Sequence, residues 1–205
     1  MSTLVYVGVN RGDALATYVN LYDEVYAFEP DPEMFSVLEN KFGKQSNVTL
    51  INAACSDEEG DKTLYVTENR VSSSLAELSD FSLKNGFSGG TPSFKSFDIK
   101  CINLYNYLTE NNVEHVDTLI TDCQGSDLAI LQTLKPYIDN KKIDEMFCET
   151  HLDGVELYGN LKNEYSGFKE LLSTNYKVKD FYFDSRLVSK EVPPSVEWDT
   201  HWILK

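Results

Sequence analysis

The chain has 205 residues, of which 41% are hydrophobic and 12% are aromatic. This length supports one substantial hydrophobic core, so we predict a single domain over residues 1–205. The 33 acidic side chains outnumber the 18 basic ones and give a formal charge of −15, which repels nucleic acid backbones and anionic membrane surfaces. We therefore expect neither a nucleic-acid substrate nor a membrane partner.

The cysteines and the apolar runs indicate the cellular setting. Cysteines stand at four widely spaced positions without a C-x-x-C pair: Cys55, Cys101, Cys123 and Cys148. Such thiols behave as small hydrophobes in a reducing compartment. No apolar run approaches the roughly 18 residues that span a bilayer, and we read no targeting signal. We expect a soluble, cytoplasmic protein; its oligomeric state is not indicated.

The first part of the chain alternates strands and helices. Apolar and β-branched runs predict strands at residues 3–7, 24–28 and 48–53, with helical spacing at 12–22. The best specified helix follows Asp31, which can cap it, and ends at Gly43. Its apolar stripe consists of Met34, Phe35, Leu38 and Phe42.

Two further extended runs, residues 62–67 and 97–102, flank a polar segment rich in serine and glycine at residues 68–95. Long segments of this kind inside a compact domain are commonly functional lids. We therefore predict a substrate lid at residues 68–95, with its glycine-rich part at 86–90 suited to motion.

The rest of the chain continues the alternation and then breaks it. Helices are predicted at 104–109, 126–137 and 165–172, and strands at 116–121, 143–148, 176–183 and 198–204. No helical pattern separates the last two strands, so they are predicted to pair as an antiparallel hairpin. The fold class is therefore α/β: a doubly wound, mainly parallel, seven-stranded Rossmann-like sheet with an antiparallel last strand.

In such sheets, ligands bind beyond the carboxyl ends of the strands, near the point where the strand order reverses. Gly8 and Gly12 follow the first strand and can provide a tight turn, although a plain strand-to-helix turn would look the same. Glu29 follows the second strand, where a carboxylate can accept both hydroxyls of a ribose; helix capping is its alternative role. Nicotinamide cofactors use the same features, but Asn10 would crowd their pyrophosphate.

Four stretches in this order resemble the FkbM family of class I methyltransferases. They are VGVNRG at 7–12, VYAFEPDP at 25–32, AACSDEEG at 53–60 and DTLITDCQGSDLAIL at 117–131. The resemblance runs from about Leu4 to His151. It implies binding of S-adenosylmethionine and O-methylation of a hydroxyl on a small molecule, sugar or glycan. The cofactor-binding residues it implies are Gly8, Asn10, Gly12, Glu29, Pro30, Ala54 and Asp122.

Two positions depart from the family pattern. Tyr6 stands where the family usually has an acidic residue, and Gln124 stands where an acidic residue is common. A contact to the methionine part of the cofactor and the handling of the acceptor are therefore expected to differ. These departures also leave open a methyltransferase fold that binds ligands without catalysis. An NAD-dependent oxidoreductase is the third possibility.

The candidate catalytic residues follow the fourth and fifth strands of the predicted sheet. Asp122 could orient or deprotonate an acceptor hydroxyl, or else cap the next helix together with Ser126. His151, at a strand end facing the cleft, could act as a base near neutral pH, with Glu149 holding it. Their alternative is a polar pair at the rim of the sheet. A metal held by these three residues with Asp153 nearby is conceivable, but they form no tight motif, and we predict no metal.

Overall fold

The computed structural model describes residues 1–86, 92–183, 186–189 and 196–205. Over these residues the strands, in chain order, are β1 (Thr3–Val7), β2 (Glu24–Phe28), β3 (Val48–Ile51), β4 (Ala54–Cys55), β5 (Gly60–Val66), β6 (Lys95–Ile102), β7 (Val116–Thr121), β8 (Ile143–His151), β9 (Tyr176–Phe183), β10 (Arg186–Ser189) and β11 (Glu197–Leu204). The helices are α1 (Leu15–Tyr18), α2 (Pro32–Phe42), α3 (Asp80–Lys84), α4 (Leu104–Glu110), α5 (Asp127–Thr133), α6 (Lys135–Asp139) and α7 (Tyr165–Leu172).

The main sheet has the strand order β10-β9-β11-β8-β7-β1-β2-β3. The strands from β8 to β3 in this order run parallel, whereas β11 is antiparallel to both of its neighbours, β8 and β9. The predicted seven-stranded, mainly parallel sheet and its antiparallel last strand are confirmed, and the short β10 extends its edge. In the sheet, β2 lies on one side of β1 and β7 lies on the other side. The strand order therefore reverses between β1 and β7, where the fold class places its ligands.

Both faces of the sheet are covered, as in a doubly wound fold. Along β1, Val5 and Val7 pack into the core cluster that contains the buried residues of α4, α5 and α7. Leu4 and Tyr6 pack into the opposite cluster, with residues of α1 and α2. Successive side chains of a strand point to opposite faces, so an almost continuous apolar run is what a central parallel strand requires.

Helix α2 has the ends that the sequence predicts. The Asp31 side chain accepts hydrogen bonds from the backbone N–H groups of Glu33 and Met34, at 2.8 and 3.4 Å. Gly43 follows the last residue of the helix. The cap satisfies two of the N–H groups that a helix start leaves without partners, so it fixes where α2 begins.

Several of the predicted elements differ from the structure; among the strands, the one predicted at 143–148 continues to His151. The helix predicted at 12–22 is reduced to the single turn of α1, flanked by turns. The helix predicted at 126–137 is divided into α5 and α6, because Pro136 has no N–H for a continuous helix and instead suits the first turn of α6. The third strand ends at Ile51 rather than residue 53. Helix α3, in the polar segment, was not predicted.

The two extended runs beside the polar segment are β5 and β6. They join β4 in a second sheet with the order β4-β6-β5. Strands β5 and β6 are antiparallel, and Leu64 pairs with Phe97. A small apolar cluster that includes Leu64, Val66 and Ile99 packs beneath this sheet. The sheet therefore supports the segment between its strands, of which residues 87–91, including most of the predicted glycine-rich part, lie outside the described residues. Within the described ranges, no helix is long and apolar enough to cross a bilayer.

Candidate active site

A cavity of about 350 Å³ opens at the carboxyl ends of β1, β2 and β7. Its volume lies within the range of pockets that hold small molecules and cofactors. Six of the predicted cofactor-binding residues line it: Gly8, Asn10, Glu29, Pro30, Ala54 and Asp122. Gly12 does not line it. The position of this cavity at the reversal of strand order is the one expected for the fold.

The two loop glycines allow the protein to pack closely against itself. Gly8 has a φ of +85°, and a Cβ atom there would lie 1.9 Å from the carbonyl oxygen of Asp122. Gly12 has a φ of +75°, and its Cβ atom would lie 2.5 Å from the Phe42 ring and 2.6 Å from Leu38. From the sequence we expected these glycines to allow a tight turn at the ligand. The structure shows a different need: the ends of β1 and β7 approach each other, and the loop packs on α2.

Glu29 is a buried carboxyl in the pocket wall, with 6% of its surface exposed. Its Oε2 accepts a hydrogen bond from the backbone N–H of Asn10 at 2.6 Å, and its Oε1 accepts one from that of Asp31 at 2.8 Å. Burial raises the pKa of Glu29 to about 7 despite these two bonds. Each carboxylate oxygen has a further lone pair, so the group can still accept hydrogen bonds from a ligand.

The first part of the predicted lid forms one wall of the cavity. Its lining residues are Asn69, Arg70, Val71, Ser73, Ser74 and Leu75. The side-chain amide of Asn10 donates to the carbonyl of Arg70 at 3.0 Å, which joins this wall to the loop after β1. Ser74 also donates from its hydroxyl to the carbonyl of Gln124 at 2.6 Å. The segment is therefore tied to two of the loops that form the pocket.

An ion-pair cluster fixes the same wall to the start of α2. The Arg70 guanidinium lies 2.5 Å from the Asp31 carboxylate and also contacts that of Glu33. The side chains of Arg70 and Asp31 are 13% and 3% exposed, so this pair is largely shielded from solvent. Lys95, from β6, reaches Glu33 from a more exposed position. Sequence reasoning missed Arg70, because nothing near it in the sequence marks its partners.

We expect Arg70→Ala to detach this wall. The substitution leaves the Asp31 carboxylate buried without its cation, and loss of one partner of such a pair costs about 3 kcal/mol. Hydrogen exchange of residues 67–75 should become faster, and urea unfolding should report the loss of stability. Lys95→Ala is the matched control, because it removes an exposed cation from the same cluster and should change both measurements less. Equal effects of the two variants would contradict the role given to Arg70.

Asp122 lies at the carboxyl end of β7 and faces the cavity. Its Oδ1 accepts a hydrogen bond from the side-chain amide of Gln124 at 2.8 Å. The residue is exposed to the cavity, but the protein atoms packed around the carboxyl desolvate it and raise its pKa, although the bond from Gln124 opposes the shift. Asp122 and Ser126 do not fill the alternative role as a helix cap: the Ser126 side chain makes no capping bond, and the N–H of Leu128 in the first turn of α5 donates to the Asn163 Oδ1 at 2.9 Å.

Gln124 separates the cavity from a second polar cluster behind it. Its amide nitrogen donates to both Asp122 and Glu149, the latter at 2.6 Å, and its oxygen accepts from the Tyr158 hydroxyl. An acid at position 124 would bring a third carboxylate between two others. The amide instead donates to both, so this departure from the family pattern serves to hold Asp122 in place.

Glu149 and His151 do not line the cavity; their side chains are 3% and 2% exposed. The His151 Nε2 lies 3.9 Å from the Glu149 Oε2 and 3.8 Å from the Glu197 Oε2. Burial lowers the pKa of His151 to about 4, so its imidazole is neutral at pH 7. This placement differs from our expectation that His151 faces the cleft, because Gln124 and Tyr158 cover it.

Three other residues bear on the predictions. Glu197, which sequence reasoning missed, lies opposite His151 in the pairing of β11 with β8. Asp153 is exposed and accepts the N–H of Ser166 at 2.8 Å, away from the cluster. Tyr6 lines the cavity with its pKa raised by burial, so a neutral phenol occupies the place where the family usually has an acid.

A family model decides between the possible cofactor chemistries. Residues 7–173 match the model described as Methyltransferase FkbM domain. The chain belongs to this family. The resemblance predicted from its motifs is thus confirmed, and the protein is a methyltransferase with S-adenosylmethionine as its cofactor. Comparison with curated proteins finds no match.

Solved structures share the fold of this FkbM-family chain at low sequence identity. SMU.1697c from Streptococcus mutans, in complex with SAH, is 9% identical, with a TM-score of 0.52, and the match covers 100% of this chain and 89% of that one. TrmK from M. capricolum, also in complex with SAH, is 12% identical at a TM-score of 0.50, with 99% and 62% covered. The N-methyltransferase NodS from Bradyrhizobium japonicum is 8% identical at 0.50, with 99% and 85% covered. Identities this low establish the fold alone.

Proposed function

We propose that this FkbM-family protein O-methylates a hydroxyl group of a small molecule, sugar or glycan. The observation that carries the proposal is the position of Asp122. Its carboxyl faces the same cavity as Glu29, at the reversal of strand order, and is held there by Gln124. One carboxyl is thus available for the cofactor and another for an acceptor hydroxyl.

The cavity fits the nucleoside part of S-adenosylmethionine. Glu29 would accept hydrogen bonds from the ribose hydroxyls, and Gly8, Asn10, Pro30 and Ala54 would form the surrounding wall. When bound, the cofactor supplies a methyl group on a positively charged sulfur. Burial raises the pKa of Glu29 to about 7, and hydrogen-bond donors from a ligand would stabilise its ionised form.

Asp122 would orient the acceptor hydroxyl and accept its proton. A carboxylate is a weak base, but partial desolvation by the cavity wall raises the pKa of Asp122 and brings it closer to the operating pH. The Gln124 amide keeps the carboxyl oriented toward the cavity through its bond to Oδ1. Correct placement of the two reacting groups is itself a large part of such catalysis.

The charge of the chain favours an acceptor without phosphates. A net charge of −15 repels polyanions at long range, and the cavity wall contains four carboxyls, those of Asp13, Glu29, Asp31 and Asp122, against the two guanidinium groups of Arg11 and Arg70. A neutral hydroxylated compound experiences no such repulsion. We therefore include in the proposal that neither nucleic acid nor a membrane surface is the partner.

The affinity for the cofactor is expected to depend on pH through Glu29. Only the ionised carboxylate can accept hydrogen bonds from two hydroxyls, and the pKa of Glu29 in the free protein is about 7. Its ionised fraction falls about tenfold from pH 8 to pH 6, and the affinity should fall by the same factor. Isothermal titration with S-adenosylmethionine and S-adenosylhomocysteine measures this. Glu29→Gln should bind weakly at pH 8 and lose the pH dependence; a slope that persists in this variant would contradict the assignment.

The proposed function is tested by titration followed by an acceptor screen. Micromolar binding of S-adenosylmethionine, with NAD as the control, is the first requirement. Transfer of a radiolabelled methyl group to a hydroxylated sugar or small molecule would then support O-methylation. Cofactor binding without transfer to any acceptor would favour a binding protein that keeps the fold. Reduction of a nicotinamide in the screen would instead favour an oxidoreductase.

A further inference from the structure

Three potential metal ligands meet behind the cavity. They are the Oε2 atom of Glu149, the Nε2 atom of His151 and the Oε2 atom of Glu197, and all of them lie within 4.8 Å of one another. The His151 Nε2 lies 3.9 Å from the Glu149 carboxylate and 3.8 Å from that of Glu197. We refer to these residues as the rear triad. None of the three lines the cavity that we assign to the cofactor.

The imidazole of His151 is the most informative member of the rear triad. It is 1% exposed, and within the described part of the chain its Nε2 has no hydrogen-bond partner. Buried polar atoms nearly always have a partner, so such an atom needs an explanation. If Nε2 carried a proton, it would approach a carboxylate to about 2.8 Å. Both carboxylates instead lie beyond hydrogen-bond distance, at 3.9 and 3.8 Å.

The backbone holds the rear triad at one place in the sheet. Glu149 and His151 are two residues apart on β8, so their side chains lie on the same face. Glu197 begins β11 and is paired in register with His151. The backbone N–H of Gly125 donates to the Glu149 Oε2 at 3.3 Å, and that of His151 donates to the Asn163 carbonyl at 2.8 Å. The three groups are therefore placed by the fold rather than by flexible surface side chains.

We propose that Glu149, His151 and Glu197 bind a divalent transition-metal ion of the Mn²⁺ or Zn²⁺ type. One imidazole and two carboxylates are a donor set that suits these ions. Two ligand atoms that each lie about 2.1 Å from one ion are about 3 to 3.5 Å apart. The two carboxylate oxygens lie 3.9 and 3.8 Å from the His151 Nε2, so an inward movement of a few tenths of an ångström would bring them to that separation. The side chain of Glu197 is 24% exposed, which provides a route from solvent.

The neighbours of the rear triad fit this role. Gln124 donates to the Glu149 Oε1, which orients the carboxylate and leaves its Oε2 toward His151. Partners of this kind commonly fix the ligands of metal sites. The sequence led us to expect no metal, because Asp122, Glu149 and His151, with Asp153 nearby, form no tight motif. In the rear triad Glu197, from a distant strand, takes the place that Asp122 had in that set. The proposal does not depend on O-methylation or on any acceptor.

The test is metal binding by the untagged, EDTA-treated full chain. Mn²⁺ is titrated with electron paramagnetic resonance as the readout, and Zn²⁺ by calorimetry. We expect one ion per chain. Loss of a residue that only hydrogen-bonds to a metal ligand lowers the affinity for the metal by about 10- to 100-fold. His151→Ala and Glu197→Gln each remove a proposed ligand, so each should lower it by at least about 100-fold. Glu197→Gln keeps the shape of a partly exposed side chain, so it remains informative if His151→Ala does not fold.

His115→Ala is the matched control. His115 belongs to a more exposed group with Asp117 and Asp144, whose ligand atoms also lie within 4.8 Å of one another. Unchanged binding in this variant would support the rear triad. The proposal is overturned if neither ion binds at concentrations up to about 1 mM, or if His115→Ala abolishes binding while Glu197→Gln does not. Because no cofactor or acceptor is present, failure here would leave the proposed function intact.

Discussion

Replacing Gly8 with alanine is expected to lower the free energy of unfolding by at least about 3 kcal/mol. Two effects add. The φ of +85° is costly for any residue with a Cβ atom, and the added atom would lie 1.9 Å from the Asp122 carbonyl oxygen. That oxygen belongs to the backbone and cannot rotate away, so the ends of β1 and β7 would have to separate. Urea unfolding followed by circular dichroism measures the loss.

Gly154→Ala is the matched control for Gly8→Ala. Gly154 has a similar φ of +79°, but a Cβ atom there would have no neighbour within 4 Å. This variant therefore measures the cost of the backbone conformation alone, about 1 kcal/mol. Gly12→Ala should fall between the two, because the Leu38 and Phe42 side chains can move. If Gly8→Ala and Gly154→Ala were equally stable, the close approach of the two strands would be unimportant.

The sheet was predictable because its signals are local. Each signal lies within a short window of sequence. These signals are the alternation of strands with helices, the unbroken apolar runs of the central strands and the alternating polar and apolar residues of the two last predicted strands. The same holds for α2, whose capping residue Asp31 and apolar stripe lie within a dozen positions. The breaks at α1 and between α5 and α6 were missed because helical periodicity continues through them, although Pro136 was a usable signal.

The pocket side of the candidate site was predictable for a different reason. Strand ends mark the ligand edge of a parallel sheet, so Gly8, Glu29 and Asp122 could be identified once the strands were assigned. Whether a residue at a strand end reaches the pocket is decided by what covers it. His151 ends a strand as Asp122 does, yet Gln124 and Tyr158 lie between it and the cavity. No local pattern encodes that cover.

The contacts that were missed join distant parts of the chain. Arg70 and Asp31 are brought together only when the polar segment folds over the carboxyl end of the sheet. Glu197 reaches His151 only through the register of β11 on β8. Both depend on tertiary packing, and a single sequence contains no signal for either pairing. The ion pair that holds the pocket wall and the proposed metal site therefore become visible only in the folded chain.

Asp122→Asn is expected to reduce kcat by about 100- to 10,000-fold with the acceptor found in the screen. Asparagine keeps the shape of the side chain, and its oxygen can still accept the hydrogen bond from Gln124. The variant therefore removes the base while it preserves the fold and the pocket. Affinity for S-adenosylmethionine, measured by calorimetry, should change little, because Glu29 and the loop after β1 bind the nucleoside.

The control for Asp122→Asn is Asp13→Asn. Asp13 also lines the cavity, but it lies at the exposed rim and pairs with Lys41 at 2.7 Å. Its replacement removes one negative charge from the same cavity without touching the proposed base. If charge alone governed turnover, the two variants would behave alike. A kcat of Asp122→Asn within about threefold of the wild type would exclude proton transfer to Asp122 as a step that limits the reaction.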